Sequence, residues 1–457
     1  MGSILLFLTL VAAVVAWWLV RQRLTSKPWL EEGPIGEMPG TGAVPLQATT
    51  IGLGVFLVIA FRKIGGIPVK IWHAMTAGAV LVLMTGQISP LEAMEAIDLD
   101  VMMFLFGMFV VGEALILSGY LSSLAYGVLH RVTSADGLVL TLLFGAGLTS
   151  AVLMNDTLAI VGTPLVLQLA REHRLEPRLL LMTLAVGVTT GSVLSPIGNP
   201  QNLLIAIEGP VPSPFLTFLH ALALPTLLNL VVAYVVLRMM WPTAFHATTL
   251  VHSAVAVGDP ALAGLARLAL FLLLGLIALK IVCVALSVPL EFRLSYLAMA
   301  VALPLLVFSR RRLELLRQVD WPTLVFFAAM FVLMSSVWQT GVLEDWTAHL
   351  QMDFTSLPSV LGLSIVMSQL ISNVPLVALY LPLVSEAPGA LPALLALAAG
   401  STIAGNLLIL GAASNVIIIQ RAEREGHTLS FGTFAWIGIP LTVLQTLVYA
   451  VYLDWVL

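Results

Sequence analysis

The chain has 457 residues, of which 60% are hydrophobic and only 10% are charged, and its formal net charge is −4. A water-soluble domain carries about 25% charged residues, so this composition excludes a soluble protein and indicates an integral membrane protein. The apolar runs are long, which is typical of α-helical spans, and we predict an all-α polytopic membrane protein. The single cysteine, Cys283, excludes a disulfide framework and a cysteine metal site.

The first apolar run, residues 3–20, predicts a retained helix, because it lacks the basic start and the cleavage site of a signal peptide. The residues that follow are rich in Gly and Pro, which is typical of an exposed linker. We therefore expect residues 1–44 to form an extra N-terminal helix and linker.

Twelve further candidate spans follow, near residues 45–61, 70–86, 97–121, 138–170, 178–208, 213–241, 265–286, 290–309, 319–342, 356–386, 390–420 and 429–456. We expect 11 or 12 spans plus hairpins from them. The segments 138–170 and 356–386 are too long for one crossing of about 20 residues, and each has a polar centre. Each predicts a re-entrant hairpin whose tip is buried in protein. In 178–208 and 390–420 a polar loop interrupts the apolar run, so each predicts a broken helix.

An internal repeat is visible in the same segments. The stretch "IDLDVMMFLFGMFVVGEALILSGYL" (97–121) aligns without gaps with "VDWPTLVFFAAMFVLMSSVWQTGVL" (319–343), and "GNPQNLLI" (198–205) aligns with "GAASNVII" (411–418). Both halves have the order span, hairpin, broken span. We predict a first span plus repeat 1 at 45–241, a cytoplasmic linker at 242–264 and repeat 2 at 265–457.

The positions of Lys and Arg give an orientation. Placing 171–178, 242–265, 310–318 and 421–428 in the cytoplasm puts most basic residues at the inner face. The two repeats then have opposite orientations. Inverted repeats with interrupted helices near the midplane are typical of secondary transporters, so we expect a multi-pass protein of the inner membrane.

The interrupted helices predict a binding site. A broken helix exposes N–H groups that can hold an anion and C=O groups that can hold Na⁺. Gly198 permits the turn and Pro200 prevents the helix from continuing. Neutral donors and acceptors come from the loops and from the hairpin tips: Asn155, Asn199, Gln201, Asn202, Asn373, Ser414 and Asn415. The alternative is that these are kinked helices whose amides pair across an interface.

Two acidic residues are candidates for proton coupling. Asp156 is a carboxylate within an apolar segment, which is costly and marks a functional site by default. It can carry a coupling proton or help to ligate Na⁺, and the alternative is a neutral Asp that donates one hydrogen bond. Glu113 can be a second titratable group, or a packed residue that makes a lateral contact. We expect no metal site.

The motifs "NDTLAIVGTP", "SPIGNPQNLLI", "ISNVPLVALYLP" and "GNLLILGAASNVII" resemble the ion transporter superfamily. This group includes arsenite permeases, D-type sodium/proton antiporters, citrate carriers and divalent-anion sodium symporters. The resemblance runs from about residue 50 to the C-terminus, and the Asn-Asp-Thr tip followed by Thr163-Pro164 is most similar to the arsenite-permease branch.

The resemblance implies a homodimer of scaffold and transport domains that moves by an elevator mechanism. It also implies site residues at the two hairpin tips and the two loops, which here are Asn155, Asp156, Thr157, Gly198, Asn199, Pro200, Asn202, Ser372, Asn373, Val374, Ala413, Ser414 and Asn415. Sodium–dicarboxylate members have Ser-Asn-Thr at both tips. This chain has Asn-Asp-Thr at the first tip and Ser-Asn-Val at the second, and this difference favours proton coupling over two-sodium coupling.

We therefore expect a transporter that is not an enzyme and that moves a small anion or oxyacid, coupled to H⁺ or Na⁺. Its partners would be the substrate, the coupling ion, the lipid bilayer and a second copy, with no nucleic acid and no cofactor besides Na⁺. One alternative is a Na⁺/H⁺ antiporter that uses Asp156, and another is a channel. A third is a membrane subunit of a respiratory complex, since "VAWWLVRQRLTSKPWLEEGP" weakly resembles the first helix of a haem–copper oxidase subunit III.

Overall fold

A computed structural model describes residues 44–61, 63–64, 67–68, 70–129, 132–245, 258–286, 293–341, 355–387 and 389–456. The predicted N-terminal helix at 3–20 and most of the predicted linkers at 21–44 and 242–264 lie outside the described residues.

The described residues form nineteen α-helices and one short antiparallel strand pair, β1 (Lys63–Ile64) with β2 (Ile67–Pro68). The helices are α1 (Val44–Phe61), α2 (Ile71–Met84), α3 (Pro90–Ala96), α4 (Leu99–Leu117), α5 (Tyr120–Leu129), α6 (Ala135–Leu153), α7 (Asn155–His173), α8 (Pro177–Ser192), α9 (Pro200–Glu208), α10 (Pro214–Met240), α11 (Pro260–Ala285), α12 (Leu294–Phe308), α13 (Arg312–Gln318), α14 (Trp321–Trp338), α15 (Leu357–Ile371), α16 (Asn373–Ser385), α17 (Leu391–Leu407), α18 (Ala413–Arg424) and α19 (Phe431–Val456).

The predicted all-α polytopic class is confirmed. By length and composition, six described helices can cross a membrane, namely α4, α6, α10, α11, α14 and α19. Five shorter apolar helices accompany them: α2, α12, α15, α16 and α17. Every predicted interruption is present, because the segments 138–170, 178–208, 356–386 and 390–420 each divide into two helices.

The two halves of the chain have the same order of elements. Two helices, a seven-residue helix and a span occur as α1 to α4 and again as α11 to α14. A hairpin and a broken helix occur as α6 to α9 and again as α15 to α18, and a final long helix occurs as α10 and α19. The repeat boundaries at 45–241 and 265–457 stay a prediction from the sequence.

The chain divides into two compact units, and the first takes in the described residues of Met1–Asp98 and Asp320–His349. In this unit α14 packs along α2. Gly78 lets the helices approach, because a methyl group there would lie 2.5 Å from Cγ2 of Val55 and 3.1 Å from Cδ2 of Leu333. A capping box between Ser89 and Glu92 starts α3.

The second unit takes in the described residues of Leu99–Val319 and Leu350–Leu457, and it contains both hairpins and both broken helices. Here α6 and α8 run parallel, since Leu143 lies beside Gly187 and Gly147 lies beside Gly191. The connecting helix α7 must run in the opposite direction, so α6 and α7 form the predicted hairpin. In the second repeat Ser364 lies beside Gly400 and Gln369 contacts Ala404, which makes α15 and α16 the equivalent hairpin.

Ion pairs join the loops of the second unit that the sequence places on one side. Arg171 pairs with Glu425 at 3.0 Å, and Arg311 pairs with Asp259 at 3.4 Å. The first pair brings the predicted cytoplasmic segments 171–178 and 421–428 to one end of the unit. The second pair joins residues 258–265, the described part of the predicted linker's C-terminal end, to 310–318. Surface pairs of this kind contribute little stability, so their value here is topological.

Candidate functional site

At the tip of each hairpin the chain reverses direction at one residue with a strained backbone conformation. Met154 has φ 64° and ψ 139°, and Ser372 has φ 71° and ψ 157°. Non-glycine residues rarely adopt this region, and such strain costs about 1–3 kcal/mol and gathers at functional sites. The turn allows α7 to begin at Asn155 and α16 to begin at Asn373 with no intervening loop. Both asparagines are buried.

Both broken helices depend on a close approach of the main chain at glycine. A methyl group on Gly198 would lie 2.3 Å from the main-chain oxygen of Ser192, and one on Gly411 would lie 2.6 Å from that of Ala404. A side chain at either position would therefore force the loop open. Pro200 then occupies the first turn of α9, where a missing N–H costs nothing.

The hairpin tips lie against the breaks in the helices. The main-chain N–H of Asn155 donates to the carbonyl oxygen of Gly198 over 3.0 Å, which joins the first tip to the first loop. Near the second tip, Nε2 of Gln369 donates to the oxygen of Ala404 over 2.8 Å, and Gly411 lies against the same side chain. The N-termini of α7 and α9 are thus neighbours, as are the turn before α16 and the turn before α18.

Helices of each repeat also pack against helices of the other repeat. The helix α9, which follows the first break, packs against α16 of the second hairpin, and α18 packs against α7 of the first hairpin. The two hairpins and the two broken helices therefore form one assembly within the second unit. The sequence predicted both half-sites, and the structure brings them together.

Protein hydrogen bonds engage the three predicted amide side chains of the first loop. Nδ2 of Asn199 donates to Oγ of Ser192 over 3.0 Å and to Oγ1 of Thr402 over 3.2 Å, and its Oδ1 accepts from the N–H of Asn202 over 2.8 Å. Nε2 of Gln201 donates to the same Thr402 hydroxyl.

Asn202 is bound most completely. Its Nδ2 donates to the oxygens of Ser192, Val193 and Ser195 over 3.1 to 3.3 Å, while its Oδ1 accepts from Thr402. The amides of Asn199, Gln201 and Asn202 therefore hold the first loop in shape, and their role in binding stays a prediction.

The second loop and the tips differ, because they contain buried acceptors that no described residue satisfies. Nδ2 of Asn415 donates to the oxygen of Gly405 over 2.6 Å, but its Oδ1 has no hydrogen-bond partner in the described structure. The same holds for Oγ of Ser414, Oδ1 of Asn155 and Oδ1 of Asn373. Buried polar atoms are rarely left without a partner, so these four oxygens are candidate contacts for a ligand.

Two threonines of this region were not predicted from the sequence. Thr402 on α17 binds the first loop, and Thr189 on α8 is buried with an unsatisfied hydroxyl beside Gly405. Thr402 precedes Asn415 by as many residues as Thr189 precedes Asn202. Extending the repeat alignment upstream would therefore have aligned the two threonines. Unsatisfied buried oxygens also occur on α15, at Ser364, Ser368 and Gln369.

The acidic candidates lie at the rim of this assembly. Asp156 is half-buried in the first turn of α7, where the helix dipole favours a carboxylate, and it makes a polar interaction within the chain. Its neighbour Thr157 packs against Gly112 of α4. Glu113 follows on α4, half-buried, and its charge acts on Arg421 of α18. Val374 and Ala413 offer no polar side chain, so only their main-chain groups can take part.

The chemistry of this donor set suits an alkali cation and an anion. Amide and hydroxyl oxygens are hard, neutral ligands for Na⁺, whereas helix N-termini favour negative charge. Among the described residues no group of three His, Cys, Asp or Glu side chains could hold a metal ion. An all-helical membrane protein with two repeated hairpins and broken helices around such a site is a polytopic membrane transporter.

The citrate transporter family (CitMHS) matches residues 56–392, which is most of the chain. The chain belongs to this family, and the predicted membership of the ion transporter superfamily is confirmed. Placement in the arsenite-permease branch stays a prediction.

Relatives extend over almost the whole chain. The silicon efflux transporter LSI3 of Oryza sativa subsp. japonica is 28% identical over 464 residues, covering 87% of this chain and 95% of the rice protein. An uncharacterized transporter of Mycobacterium tuberculosis is 27% identical and covers 89% of this chain and 97% of its own length. The P protein of Mus musculus is 24% identical over 89% of this chain and 60% of its own length.

Solved structures share the fold. The YdaH transporter of Alcanivorax borkumensis superimposes with a TM-score of 0.55 at 16% identity, covering 90% of this chain and 97% of that one. MtrF of Neisseria gonorrhoeae superimposes with a TM-score of 0.53 at 12% identity, covering 92% and 95%. At these identities the likeness concerns the fold alone.

Proposed function

We propose that this chain is a secondary active transporter that moves a small anion or oxyacid across the inner membrane, coupled to Na⁺ or H⁺. The observation that carries this proposal is the set of four buried, unsatisfied oxygens on Asn155, Asn373, Ser414 and Asn415, at the N-termini of three helices. The homodimer and the elevator movement are part of the same proposal and come from the resemblance to the superfamily.

The unsatisfied oxygens support a cation. The three amide oxygens can only accept and the Ser414 hydroxyl can accept as well as donate, while Nδ2 of Asn415 already donates to the main-chain oxygen of Gly405. A ligand for the three amide oxygens must be a cation or a donor of hydrogen bonds. Amides and hydroxyls do not titrate, so this donor set supports Na⁺ as the coupling ion more than H⁺, whereas the tip sequences favoured H⁺.

The helix ends support an anion. The loops 193–199 and 408–412 and the tip residues contain no Lys or Arg, so recognition falls to the main-chain N–H groups of α7, α9, α16 and α18. Such a site suits a small substrate of low charge, or an anion whose charge a bound cation offsets. The family description names citrate, and the rice relative is named for silicon.

The alternative is a Na⁺/H⁺ antiporter that uses Asp156. One observation favours it: Asp156 places a carboxylate in the first turn of α7, while the corresponding position of the second repeat is Val374. A single carboxylate at one tip suits the exchange of a cation for a proton. In this case no anion is required for flux.

A panel of ligands tests the proposal on purified protein. The thermal midpoint is measured with Na⁺, Li⁺, pH steps, arsenite, silicate, sulfate, phosphate, succinate and citrate, since a ligand stabilises the state that it binds. We expect one oxyacid or carboxylate to raise the midpoint, more so with Na⁺ present, and Ser414→Ala to reduce the shift.

Ser401→Ala is the matched control, because Ser401 is equally buried and its hydroxyl already donates to Leu397. A shift with Na⁺ or pH alone, lost in Asp156→Asn, would replace the proposal by the antiporter. No shift with any ligand, or equal shifts in both serine variants, would overturn the assigned site.

A further inference from the structure

A second group of buried polar side chains lies between four helices of the second unit. Thr190 on α8, Asn229 on α10, Asn406 on α17, and Thr442 and Gln445 on α19 are all buried almost completely. None of them belongs to the hairpin tips or to the loops of the broken helices.

Hydrogen bonds join four of these residues directly. Nδ2 of Asn406 donates to Oγ1 of Thr190 over 3.0 Å and to Oε1 of Gln445 over 2.8 Å. Nε2 of Gln445 donates to the same Thr190 oxygen over 3.0 Å and to the main-chain oxygen of Asn229 over 3.5 Å. Nδ2 of Asn229 donates to the main-chain oxygen of Gln445 over 3.3 Å.

These bonds use the amide donors of the cluster and leave acceptors over. Both hydrogens of the Asn406 amide and both hydrogens of the Gln445 amide have partners inside the cluster. Three oxygens remain without a partner in the described structure, namely Oδ1 of Asn229, Oδ1 of Asn406 and Oγ1 of Thr442. The two amide oxygens can only accept, and the Thr442 hydroxyl can present its lone pairs to the same ligand, so the cluster has unused acceptors in a region closed to solvent.

The cluster lies where the two repeats meet. The spacing of Thr226 and Asn229 on α10 recurs as Thr442 and Gln445 on α19, and the two amides exchange hydrogen bonds with each other's main chain. The two threonines differ in one respect. The Thr226 hydroxyl is hydrogen-bonded to Tyr449 over 2.7 Å, whereas the Thr442 hydroxyl is unsatisfied.

We propose that this cluster binds a monovalent cation such as Na⁺, through the unsatisfied oxygens of Asn229, Asn406 and Thr442. Neutral amide and hydroxyl oxygens suit an alkali cation, while Mg²⁺ and Ca²⁺ require carboxylates that the cluster lacks. The site is separate from the hairpin tips and goes beyond the proposed transport function. A cation there joins α10, α17 and α19, and thereby stabilises the contact between the repeats.

The test compares two threonines on equivalent helices. The thermal midpoint of purified protein is titrated with NaCl at constant ionic strength, with choline chloride as the replacement salt, for wild type, Thr442→Val and Thr226→Val. We expect Thr442→Val to raise the apparent Kd for Na⁺ roughly tenfold or to abolish the shift, as loss of a ligand does. Thr226→Val should lower the midpoint in both salts and keep the Na⁺ dependence.

Parallel titrations in a Ser414→Ala background separate this site from the tips. The difference between Thr442→Val and Thr226→Val should persist there, whatever happens to the transport site. Thr442→Ser, which keeps the hydroxyl, should restore the Na⁺ response. The proposal is overturned if wild type shows no cation-specific shift. It is also overturned if Thr442→Val keeps the wild-type dependence on Na⁺ while its midpoint rises, because that result is expected when an unsatisfied structural hydroxyl is removed.

Crystals grown with Tl⁺ decide the matter if Thr442→Val does not fold. An anomalous peak between α10, α17 and α19 in wild type is expected. A wild-type map without one would overturn the site.

Discussion

The side-chain amide of Asn415 donates to the main-chain oxygen of Gly405 over 2.6 Å, across the break between α17 and α18. The same bond occurs in the first repeat, where Asn202 donates to the oxygen of Ser192 over 3.2 Å, across the break between α8 and α9. The aligned asparagines therefore close the two breaks in the same way. The repeats differ at the side-chain oxygens of these asparagines. Oδ1 of Asn202 accepts a hydrogen bond from Thr402, whereas Oδ1 of Asn415 has no partner in the described structure.

This difference predicts different effects for the two alanine variants. Asn202→Ala removes three hydrogen bonds to main-chain oxygens and the acceptor of the Thr402 hydroxyl. Nδ2 of Asn199 still donates to the oxygen of Ser192, and the N–H of Gly198 still donates to that of Ser195, so the oxygen of Val193 and the hydroxyl hydrogen of Thr402 lose their partner. Each unpaired buried group costs about 1–3 kcal/mol. Asn415→Ala leaves one such oxygen, at Gly405. We expect Asn202→Ala to lower the thermal midpoint more, and Asn415→Ala to lose ligand stabilisation while remaining monodisperse. Equal losses of stability would show that the loops have the same role.

Glycine at a hairpin tip should stabilise the protein. Ser372 has φ 71°, and glycine adopts this conformation without strain, so Ser372→Gly should raise the free energy of unfolding by about 1 kcal/mol. The control removes the same atoms from a helix: Ser335→Gly in α14, at a half-buried position, should lower stability by about 0.5–1 kcal/mol. Thermal midpoints of both variants check this, and a loss of stability in Ser372→Gly would show that the strain is absent.

Gly191→Ala should prevent folding. A methyl group there would lie 2.2 Å from Cα and 2.3 Å from the carbonyl oxygen of Gly147, and neither main chain can yield without separating α6 from α8. Overpacking costs about 1–3 kcal/mol where side chains can adjust, and main-chain clashes cost more. Gly145→Ala on α6 is the control, since no atom of the described residues would lie within 4 Å of the added methyl group. Expression and size-exclusion profiles should show aggregation of the first variant and a normal peak for the second.

An exposed cap gives a pH dependence. The N–H of Leu262 and the guanidinium of Arg311 hold the pKa of Asp259 below its ordinary value of 3.8. A lowered pKa means that the carboxylate contributes stability in full above about pH 4 and loses it as the pH falls through the folded-state pKa. Asp259→Asn should therefore be less stable than wild type at pH 7, and the difference should shrink towards pH 3. A difference that is constant across this range would contradict the assignment.

The sequence predicted the interruptions and their pairing well, because Gly, Pro and Asn rarely cluster within an apolar run that continues as one helix. The hairpins, both breaks and the equivalence of Asn155 with Asn373 all follow from that pattern. It did not predict that Met154 and Ser372 are the turning residues, since neither is a residue that normally adopts positive φ. It also treated Asn202 and Asn415 as equal, because which amide oxygen is satisfied depends on Thr402, a residue on another helix.

The polar cluster around Gln445 was equally invisible in the sequence. Single Thr, Asn and Gln residues on four different helices have no local pattern. Only the packing of α8, α10, α17 and α19 brings them together.

The measurement that tests the central claim most directly is flux in proteoliposomes with Na⁺ and H⁺ gradients imposed separately. Citrate, silicate and arsenite are each offered to wild type, Ser414→Ala and Ser401→Ala. We predict uptake of one of these substrates down an imposed Na⁺ gradient, reduced in Ser414→Ala and unchanged in Ser401→Ala. Flux of H⁺ on addition of Na⁺ that needs no anion and disappears in Asp156→Asn would contradict it.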